Sequence, residues 1–446
     1  FVALVVIAVL LVATPSEPCM AYAIVAFCVF LFSGTAFAYL VGATAVIAFL
    51  TTGYPQYIAI LPQRIFAQLD VFAFMAMPLF ILTGELMNRA GVMGSLIDFA
   101  MALLGRFKGG LGHVNIMTSL FFSGISGSAV ADSAAVSNSL IPAMRERGYP
   151  PYYAGALTAA SSMIGPIIPP SIIMIIYGGL TGTSVAALFV AGILPGLLLA
   201  CLLFAFNAWI AHRDDHPGGS TIDIPPLFAS FKRAWPALSI PIIILGSIVF
   251  GLTTPTEGAA LAVIAAILVG WSMGGMSWKV LYSAVEATAR LTGSIFIIIC
   301  SIAVLSYLAG LLGWPQLLAG WIASMGLAGN NYLLLLIFVL LVAGMFMDTP
   351  VALTLLVPLL VPTALLQGFN PVHLGIMVCF NLCIGLITPP FGKCLIVVSG
   401  IAKINYWNLA KATLPFIGIQ LVILLIIAFF PNISLLLPRI FGFNVL

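Results

Sequence analysis

Charged residues are scarce in this chain: they make up 6% of its 446 residues, whereas hydrophobic residues make up 63%. A soluble domain carries roughly 25% charged residues, so a protein of this size and composition lacks the polar surface needed to stay in solution. The composition predicts a polytopic membrane protein. At ~20 residues per span, the length allows roughly 11 to 14 spanning or half-spanning segments.

Patterns typical of nucleic-acid, metal or redox chemistry are absent from the sequence as well. The formal net charge is only +3 and the basic residues form no block, which argues against a nucleic-acid partner. The seven cysteines include no CxxC pair, and no group of histidines and cysteines has the spacing of a metal site. We therefore interpret the cysteines as small hydrophobic residues within apolar runs.

Proline and glycine, in contrast, occur in a pattern that repeats. Residues 165–170 read GPIIPP, and residues 385–390, 220 positions later, read GLITPP. Each stretch interrupts an apolar run long enough to cross a bilayer, and a helix cannot continue straight through such prolines. In lipid, the freed backbone groups must find partners inside the protein or in a cavity. Paired interruptions in corresponding halves indicate the central binding site of a secondary transporter.

Upstream of each proline pair lies a segment with the pattern of a helical hairpin. In 115–144 two apolar arms flank the sequence SGISGS, and in 332–365 they flank GMFMDTP. Each arm is expected to be too short to cross ~30 Å of hydrocarbon. We therefore predict re-entrant hairpins, whose tips must be buried in protein or face water.

The order of hairpin followed by broken helix occurs twice and predicts an all-α fold built on an inverted repeat. The polar connection between the two halves is predicted to lie in the cytoplasm, because basic residues flank it. Scaffold helices, including an extra first span, are predicted over 1–70, and a first repeat over 71–210 contains hairpin 115–144 and broken helix 153–180. A connecting loop is predicted over 211–235. Scaffold helices and a second repeat are predicted over 236–446, with hairpin 332–365 and broken helix 371–399.

The tips and the breaks together offer oxygen atoms that suit a hard cation. Prolines leave backbone carbonyl groups free at the breaks, and unwound carbonyls of this kind coordinate Na⁺ in several transporter folds. Hydroxyl groups at the tips add further oxygens. The alternative is that these prolines and glycines are the kinks common in membrane helices. The residues concerned are Ser123, Ser126, Ser128, Ser133 and Thr349 at the tips and Gly165, Ile168, Gly385 and Thr388 at the breaks.

Two acids, Asp132 and Asp348, lie deep within the hairpins. A charge at the centre of a bilayer costs ~2.5–3.5 kcal/mol on insertion scales, so such a residue usually faces a cavity or a partner. Both could also cap the second arm of their hairpin, because aspartate is a favourable N-cap residue. For Asp348 coordination of a cation and capping both remain open, and for Asp132 we favour capping and a structural role at the tip, because serines surround it in the sequence.

Lys393 follows the second proline pair by three residues. Its ammonium group could bind an anionic substrate, or its side chain could extend towards the membrane surface. The side chains that we predict to bind substrate are those of Ser128, Asp132, Ser171, Thr349 and Lys393. Glu85, Arg89 and Arg64 are predicted to mark the ends of spans.

From about residue 30 to its end, the chain resembles the large membrane subunit, or DctM type, of tripartite ATP-independent periplasmic (TRAP) transporters. The resemblance depends on several stretches together and is far more specific than any one motif. These stretches are 77–88, 110–115, 123–132, 164–171, 254–257 and 385–390.

The resemblance implies an elevator-type transporter of the bacterial inner membrane that uses sodium to import an organic anion. A periplasmic substrate-binding protein would deliver the anion, and a small membrane subunit would brace the large one. Substrate would bind between the hairpin tips. One Na⁺ would be held by Ser123, Ser126, Gly165, Ile168 and Pro170. The second Na⁺ would be held by Gly344, Asp348, Gly385 and Thr388.

The sequence departs from this pattern at two places: residues 1–20 form an additional apolar segment, and Lys393 stands where we expect an apolar residue. One alternative function is a stand-alone sodium–dicarboxylate symporter. A remote alternative is an intramembrane aspartyl protease that uses Asp132 and Asp348. The Gly-x-Gly-Asp pattern associated with such proteases is missing, so we expect a transporter and not an enzyme.

Overall fold

The computed structural model describes residues 19–51, 55–218 and 224–443, and the regular elements within these ranges are all helices. Six described helices are long and apolar enough to cross a membrane, or seven if a bent pair within 56–89 is one span. The predicted all-α polytopic fold is therefore confirmed. The extra first span falls largely on residues 1–18, which lie outside the described ranges.

Five α-helices precede the first hairpin within the residues that the structure describes. The chain bends by 61° between residues 56–69 and residues 72–89, and a short 3₁₀ turn at 72–75 begins the second of these segments. These helices are α1 (Cys19–Phe32), α2 (Phe37–Thr51), α3 (Leu61–Leu69), α4 (Ala76–Arg89) and α5 (Val92–Leu104).

The first hairpin consists of α6 (Gly110–Ser126) and α7 (Ala129–Glu146), joined by two residues. Gly127 ends α6 at φ +58°, a left-handed conformation that glycine adopts without steric cost. The Ser128 hydroxyl then accepts a hydrogen bond from the backbone of Ala131 and so caps α7. The prediction that Asp132 caps this arm is wrong, because the helix begins three residues before it.

The first broken helix has two parts, α8 (Pro151–Ser161) and α9 (Ile172–Thr181). A short 3₁₀ turn at 162–164 extends the first part, and 165–171 then run without regular structure. Ser171 caps α9 by accepting a hydrogen bond from the backbone of Met174 at 3.4 Å. The proline pair therefore interrupts the helix as the sequence predicts.

Four longer helices follow: α10 (Val185–Arg213), α11 (Leu227–Val249), α12 (Pro255–Ser272) and α13 (Trp278–Leu311). The connection between the halves is shorter than the predicted loop 211–235, because α10 ends at Arg213 and α11 begins at Leu227. Polar residues at these positions belong to helix ends and form surface ion pairs. Arg233 of α11, for example, lies 3.3 Å from Asp98 of α5.

The first part of the connection, 214–218, contacts the residues that precede the first hairpin. The Lys108 ammonium donates a hydrogen bond to Asp215 at 2.6 Å, which lowers the pKa of that carboxyl group. The ring of His216 packs against the rings of Tyr149 and Tyr153, with centroids 4.9 and 4.7 Å away. The connection therefore packs against both ends of the hairpin.

The second half repeats the same order after a short helix, α14 (Trp314–Ser324). Its hairpin is α15 (Asn330–Phe346) and α16 (Thr349–Leu366), and its broken helix is α17 (Pro371–Gly385) and α18 (Lys393–Ala402). The expectation that every hairpin arm is too short to cross a membrane is wrong for α16, whose length and composition qualify it as a span. The two-residue connection at 347–348 is what defines the hairpin.

The two halves pack crosswise. The second part of each broken helix lies against the second arm of the other half's hairpin: α9 packs on α16, and α18 packs on α7. The last helices, α19 (Tyr406–Phe429) and α20 (Asn432–Ile440), cover α8 and α10 of the first half. This arrangement brings both hairpin tips and both breaks into one region of the interior.

Within the second half, α15 and α17 cross at two glycines. A Cβ atom at Gly344 would lie 3.2 Å from the Cα atom of Gly385, so the two backbones are in direct contact. This close approach is possible only because neither position carries a side chain, as at other small-residue helix crossings in membranes.

We predict that Gly385→Ala lowers the stability of the protein, because the added methyl group meets backbone atoms that cannot rotate away. The expected cost is that of overpacking, about 1–3 kcal/mol. The measurement is the thermal unfolding midpoint of the purified protein in detergent. Gly418→Ala in α19 is the matched control, since nothing lies within 4 Å of the position that its Cβ would occupy. A midpoint for Gly385→Ala equal to that of the control would contradict the crossing.

Candidate functional site

The first hairpin tip lies directly against the first break. A Cβ atom at Gly127 would lie 2.5 Å from the carbonyl oxygen of Pro170, and one at Gly165 would lie 3.5 Å from the carbonyl carbon of Ser128. Ser123 and Ser126 of the tip are buried. The structure therefore brings together the tip and break residues that the sequence assigns to the first cation site.

The prolines of this break change which carbonyl groups have partners. Pro169 and Pro170 have no N–H to donate to the carbonyls four residues earlier, those of Gly165 and Pro166. The Ser171 hydroxyl donates to Pro166 at 2.5 Å and replaces one missing donor. Ser171 is fully buried and stabilises the backbone of the break. It does not line the cavity between the hairpin tips.

The second hairpin tip meets the second break in the same way. Gly344 touches Gly385, and a Cβ atom at Gly392 would lie 3.3 Å from the carbonyl oxygen of Thr388. Pro389 and Pro390 again lack the N–H groups of a continuous helix. The residues predicted for the second cation site thus also lie in one place, at the junction of 344–348 and 385–393.

Asp348 has two partners at this junction. One carboxylate oxygen accepts a hydrogen bond from the backbone of Thr349 at 3.1 Å, so Asp348 caps α16, which is one of the two roles that the sequence left open. The other carboxylate oxygen lies 2.5 Å from the ammonium nitrogen of Lys393. Lys393 therefore forms an ion pair with the tip, an arrangement that neither of its two predicted roles includes.

A cavity of about 380 Å³ lies between the two tips. Its wall includes three of the five predicted substrate residues, Ser128, Thr349 and Lys393, together with Asp348. Four helices begin at this wall, since Ala129, Ile172, Thr349 and Lys393 are the first residues of α7, α9, α16 and α18. Helix N-termini carry partial positive charge and bind anions.

Two helices that belong to neither hairpin nor broken helix also line the cavity. Glu85 and Asn88 of α4 and Leu291 and Ile295 of α13 line it. Glu85 lies in the last turns of α4, near the end of a span as predicted, and it also lines the cavity, a role that the sequence did not indicate. Its partner is Arg89, at 2.9 Å one helical turn later. The sequence signal for this lining role is the stretch 77–88, where Glu85 and Asn88 occur within a mostly apolar segment.

Asp132 does not line the cavity. It is fully buried in the first turn of α7, and its carboxylate oxygens have no hydrogen-bond partner among the described residues. Ser119 lies beside it but donates its own hydrogen bond to Ser161 at 3.0 Å. The structure thus places Asp132 behind the tip, next to a buried polar network that joins α6 to α8.

This network fixes the first hairpin to the first broken helix. The Asn115 amide donates to Thr158 at 2.7 Å, and the Ser161 hydroxyl donates to Asn115 at 2.9 Å. All three side chains are fully buried. Such bonds hold the tip and the break at a constant distance, which a site built from both of them requires.

A comparison with protein-family models matches the chain to the DctM component of tripartite ATP-independent periplasmic transporters, over residues 3–433. The match covers nearly the whole chain, including both hairpins and both breaks. The resemblance inferred from the sequence is therefore confirmed.

Curated relatives agree with this match. The chain is 38% identical to the sialic acid TRAP transporter large permease protein SiaM of Vibrio cholerae, over 85% of the chain and 89% of the relative. It is 34% identical to the C4-dicarboxylate TRAP transporter large permease protein DctM of Pseudomonas aeruginosa, over 87% and 92%. It is 33% identical to the 2,3-diketo-L-gulonate large permease protein YiaN of Escherichia coli, over 85% and 89%.

The fold also resembles a solved structure, that of the Alcanivorax borkumensis YdaH transporter. The TM-score is 0.59, and the alignment covers 94% of this chain and 98% of that chain. Because only 16% of the residues are identical, this similarity concerns the fold alone.

The relatives are permease subunits of transporters, so the expectation of a transporter and not an enzyme is confirmed, and the aspartyl protease alternative is rejected. With two interrupted helices, two hairpins and a sequence match along nearly its whole length, the chain belongs to the DctM family of large permease subunits of TRAP transporters.

Proposed function

We propose that this permease subunit imports an organic carboxylate together with sodium. The observation that carries the proposal is the convergence of four helix N-termini and Lys393 on one cavity between the hairpin tips. Helix N-termini that point at the carboxylate of a substrate are a feature of transporters with broken helices. A carboxylate in this cavity would meet partial positive charge from both repeated units.

Sodium is the proposed coupling ion because the tip–break junctions supply neutral oxygen atoms. Backbone carbonyls and hydroxyl groups are hard ligands, and such ligands suit a cation that binds through oxygen. The first ion would bind among Ser123, Ser126, Gly165, Ile168 and Pro170. The second ion would bind among Gly344, Asp348, Gly385 and Thr388.

Charge compensation gives a physical reason for coupling the two solutes. An uncompensated carboxylate cannot cross hydrocarbon at an acceptable cost. Cations bound on either side of the cavity would neutralise the anion, and any excess positive charge would be drawn inward by the membrane potential. That potential contributes ~2.3 kcal/mol per net charge per 100 mV.

An elevator mechanism fits the two groups of helices that line the cavity. The tips and breaks line the cavity together with α4 and α13, which belong to neither hairpin nor break. In our proposal the hairpins and broken helices move together as one body against these helices. The buried network of Asn115, Thr158 and Ser161 would keep tip and break together during that movement.

The proposal includes the partners that the family name implies. A periplasmic binding protein would deliver the anion, and a small membrane subunit would hold α4 and α13 in place within the bacterial inner membrane. The relatives transport sialic acid, C4-dicarboxylates or 2,3-diketo-L-gulonate according to their names. Carboxylate is the chemical group common to these compounds, and we propose it for this substrate.

Replacing sodium with choline is predicted to abolish uptake by proteoliposomes that contain the complete transporter, because the anion then lacks its counter-ions. The measurement is uptake of radiolabelled carboxylate at equal ionic strength, with potassium inside as a second control. Uptake in choline equal to that in sodium would contradict the coupling.

Removing one hydroxyl oxygen from a cation site is predicted to weaken sodium binding. Ser126→Ala and Thr388→Ala should each raise the sodium concentration for half-maximal uptake by about tenfold, which corresponds to about 1.4 kcal/mol. Ser139→Ala is the matched control, because its exposed hydroxyl donates to a carbonyl within α7. An unchanged sodium dependence in both site variants would reject these ligands.

The binding protein is predicted to be required for uptake, which separates a TRAP transporter from a stand-alone symporter. Proteoliposomes are prepared with the large and small subunits, and the purified binding protein is added outside or left out. Without it, uptake should fall to the level of empty liposomes. Full uptake in its absence would favour the stand-alone symporter.

A further inference from the structure

The Lys393–Asp348 ion pair lies where the substrate cavity meets the second tip–break junction. Both residues line the central cavity, and both also line a smaller cavity beside Gly344 and Gly392. About half of the Lys393 side chain and a third of the Asp348 side chain remain exposed. The pair is therefore accessible from the side on which the anion would bind.

Lys393 is placed so that an anion can compete for it. It is the first residue of α18, a position at which the helix dipole disfavours a positive charge. Among the described residues at the wall of the central cavity it is the one cation, and the acids there are Glu85 and Asp348. Glu85 already has Arg89 as its partner, so Asp348 is the carboxylate that holds the Lys393 ammonium.

Asp348 would stay in position if Lys393 moved. Its second oxygen accepts the backbone N–H of Thr349, which fixes the carboxylate at the start of α16. Next to it lie the backbone of Gly344 and the break around Leu386. A carboxylate oxygen released from Lys393 would therefore remain at the junction of tip and break, and a free carboxylate there suits a hard cation.

We propose that the Lys393 ammonium exchanges its ion-pair partner: it leaves Asp348 and binds the carboxylate of the substrate. The released Asp348 carboxylate then binds a sodium ion. This inference rests on the proposed function and assigns a specific residue pair to the coupling. In the empty carrier, Lys393 neutralises Asp348. In the loaded carrier, Lys393 neutralises the substrate and Na⁺ neutralises Asp348.

The exchange makes the partly loaded states unfavourable. Sodium alone meets an ammonium group at its site, and substrate alone leaves Asp348 without a counter-charge. A carboxylate without a counter-charge is less favourable within a membrane protein than one that is paired. The two solutes then favour each other's binding, and this effect is reciprocal. The carrier would move when it is empty or when it holds both solutes, which prevents a sodium leak.

The exchange also limits the substrate class. One ammonium group in the wall accommodates one carboxylate, and the remainder of the ligand would face the other polar residues of the wall, Ser128, Asn88 and Thr349. We therefore assign a substrate with a single carboxylate near Lys393 and hydrogen-bonding groups along its other end.

The test is a sodium titration of the purified transporter without any organic anion, read as the increase in its thermal unfolding midpoint. Choline replaces sodium at constant ionic strength. Lys393→Met removes the competing ammonium, so the sodium concentration for half-maximal stabilisation should fall by about tenfold, which corresponds to about 1.4 kcal/mol. Lys393→Arg keeps the charge and should titrate like the wild type. Lys411→Met removes an exposed lysine of α19 and is the matched control.

The double variant Lys393→Met/Asp348→Asn decides whether the gain depends on the released carboxylate. It should titrate at sodium concentrations no lower than the wild type. An unchanged or higher midpoint concentration for Lys393→Met would overturn the inference, as would a gain that persists in the double variant. These outcomes leave the proposed function intact if wild-type uptake still requires sodium. A wild-type protein indifferent to sodium in both assays would reject the proposed function and the inference together.

Discussion

Two proline pairs impose the constraint on which the rest of this structure depends. Each pair interrupts an apolar helix and removes two N–H donors, so nearby carbonyl groups lose their helical partners. In a membrane those groups must be satisfied by the protein or by something in a cavity. The chain meets this requirement by placing a hairpin tip against each break, with glycines at 127 and 344 that permit backbone contact. The breaks, the tips and the cavity between them are thus parts of one arrangement.

The same arrangement determines the electrostatics of the cavity. Breaking a helix creates a new N-terminus, and each hairpin supplies another, so four helices begin at the cavity wall. Their dipoles favour an anion, while the carbonyls behind the tips favour a cation. The Lys393–Asp348 pair joins the two environments. Opposite charges are thereby held close together in the empty protein, and exchange of partners can link the binding of the two solutes.

The two helix breaks and the first hairpin tip were predictable from the sequence, because they depend on local chemistry. Paired prolines break helices in any context, and the glycine- and serine-rich stretch 123–128 is typical of a tip. Contacts between distant parts of the chain were not predictable. Lys393 and Asp348 are 45 positions apart, and no local pattern indicates that they meet. The sequence marks Glu85 as a boundary residue but does not show that it lines the cavity, because the cavity arises from packing between distant segments. Asp132 was expected to cap α7, yet Ser128 does so, since both residues suit an N-cap and tertiary packing sets the first turn.

The most direct test of the central claim is an experimental structure of the transporter determined in sodium and again in choline, with the two maps compared at the tip–break junctions. The account predicts two sodium-dependent densities, one near Ser126 and Gly165 and one near Gly344 and Thr388, each surrounded by protein oxygen atoms. Continuous helices through Pro169 and Pro389, or maps that are identical at both junctions in the two salts, would contradict it.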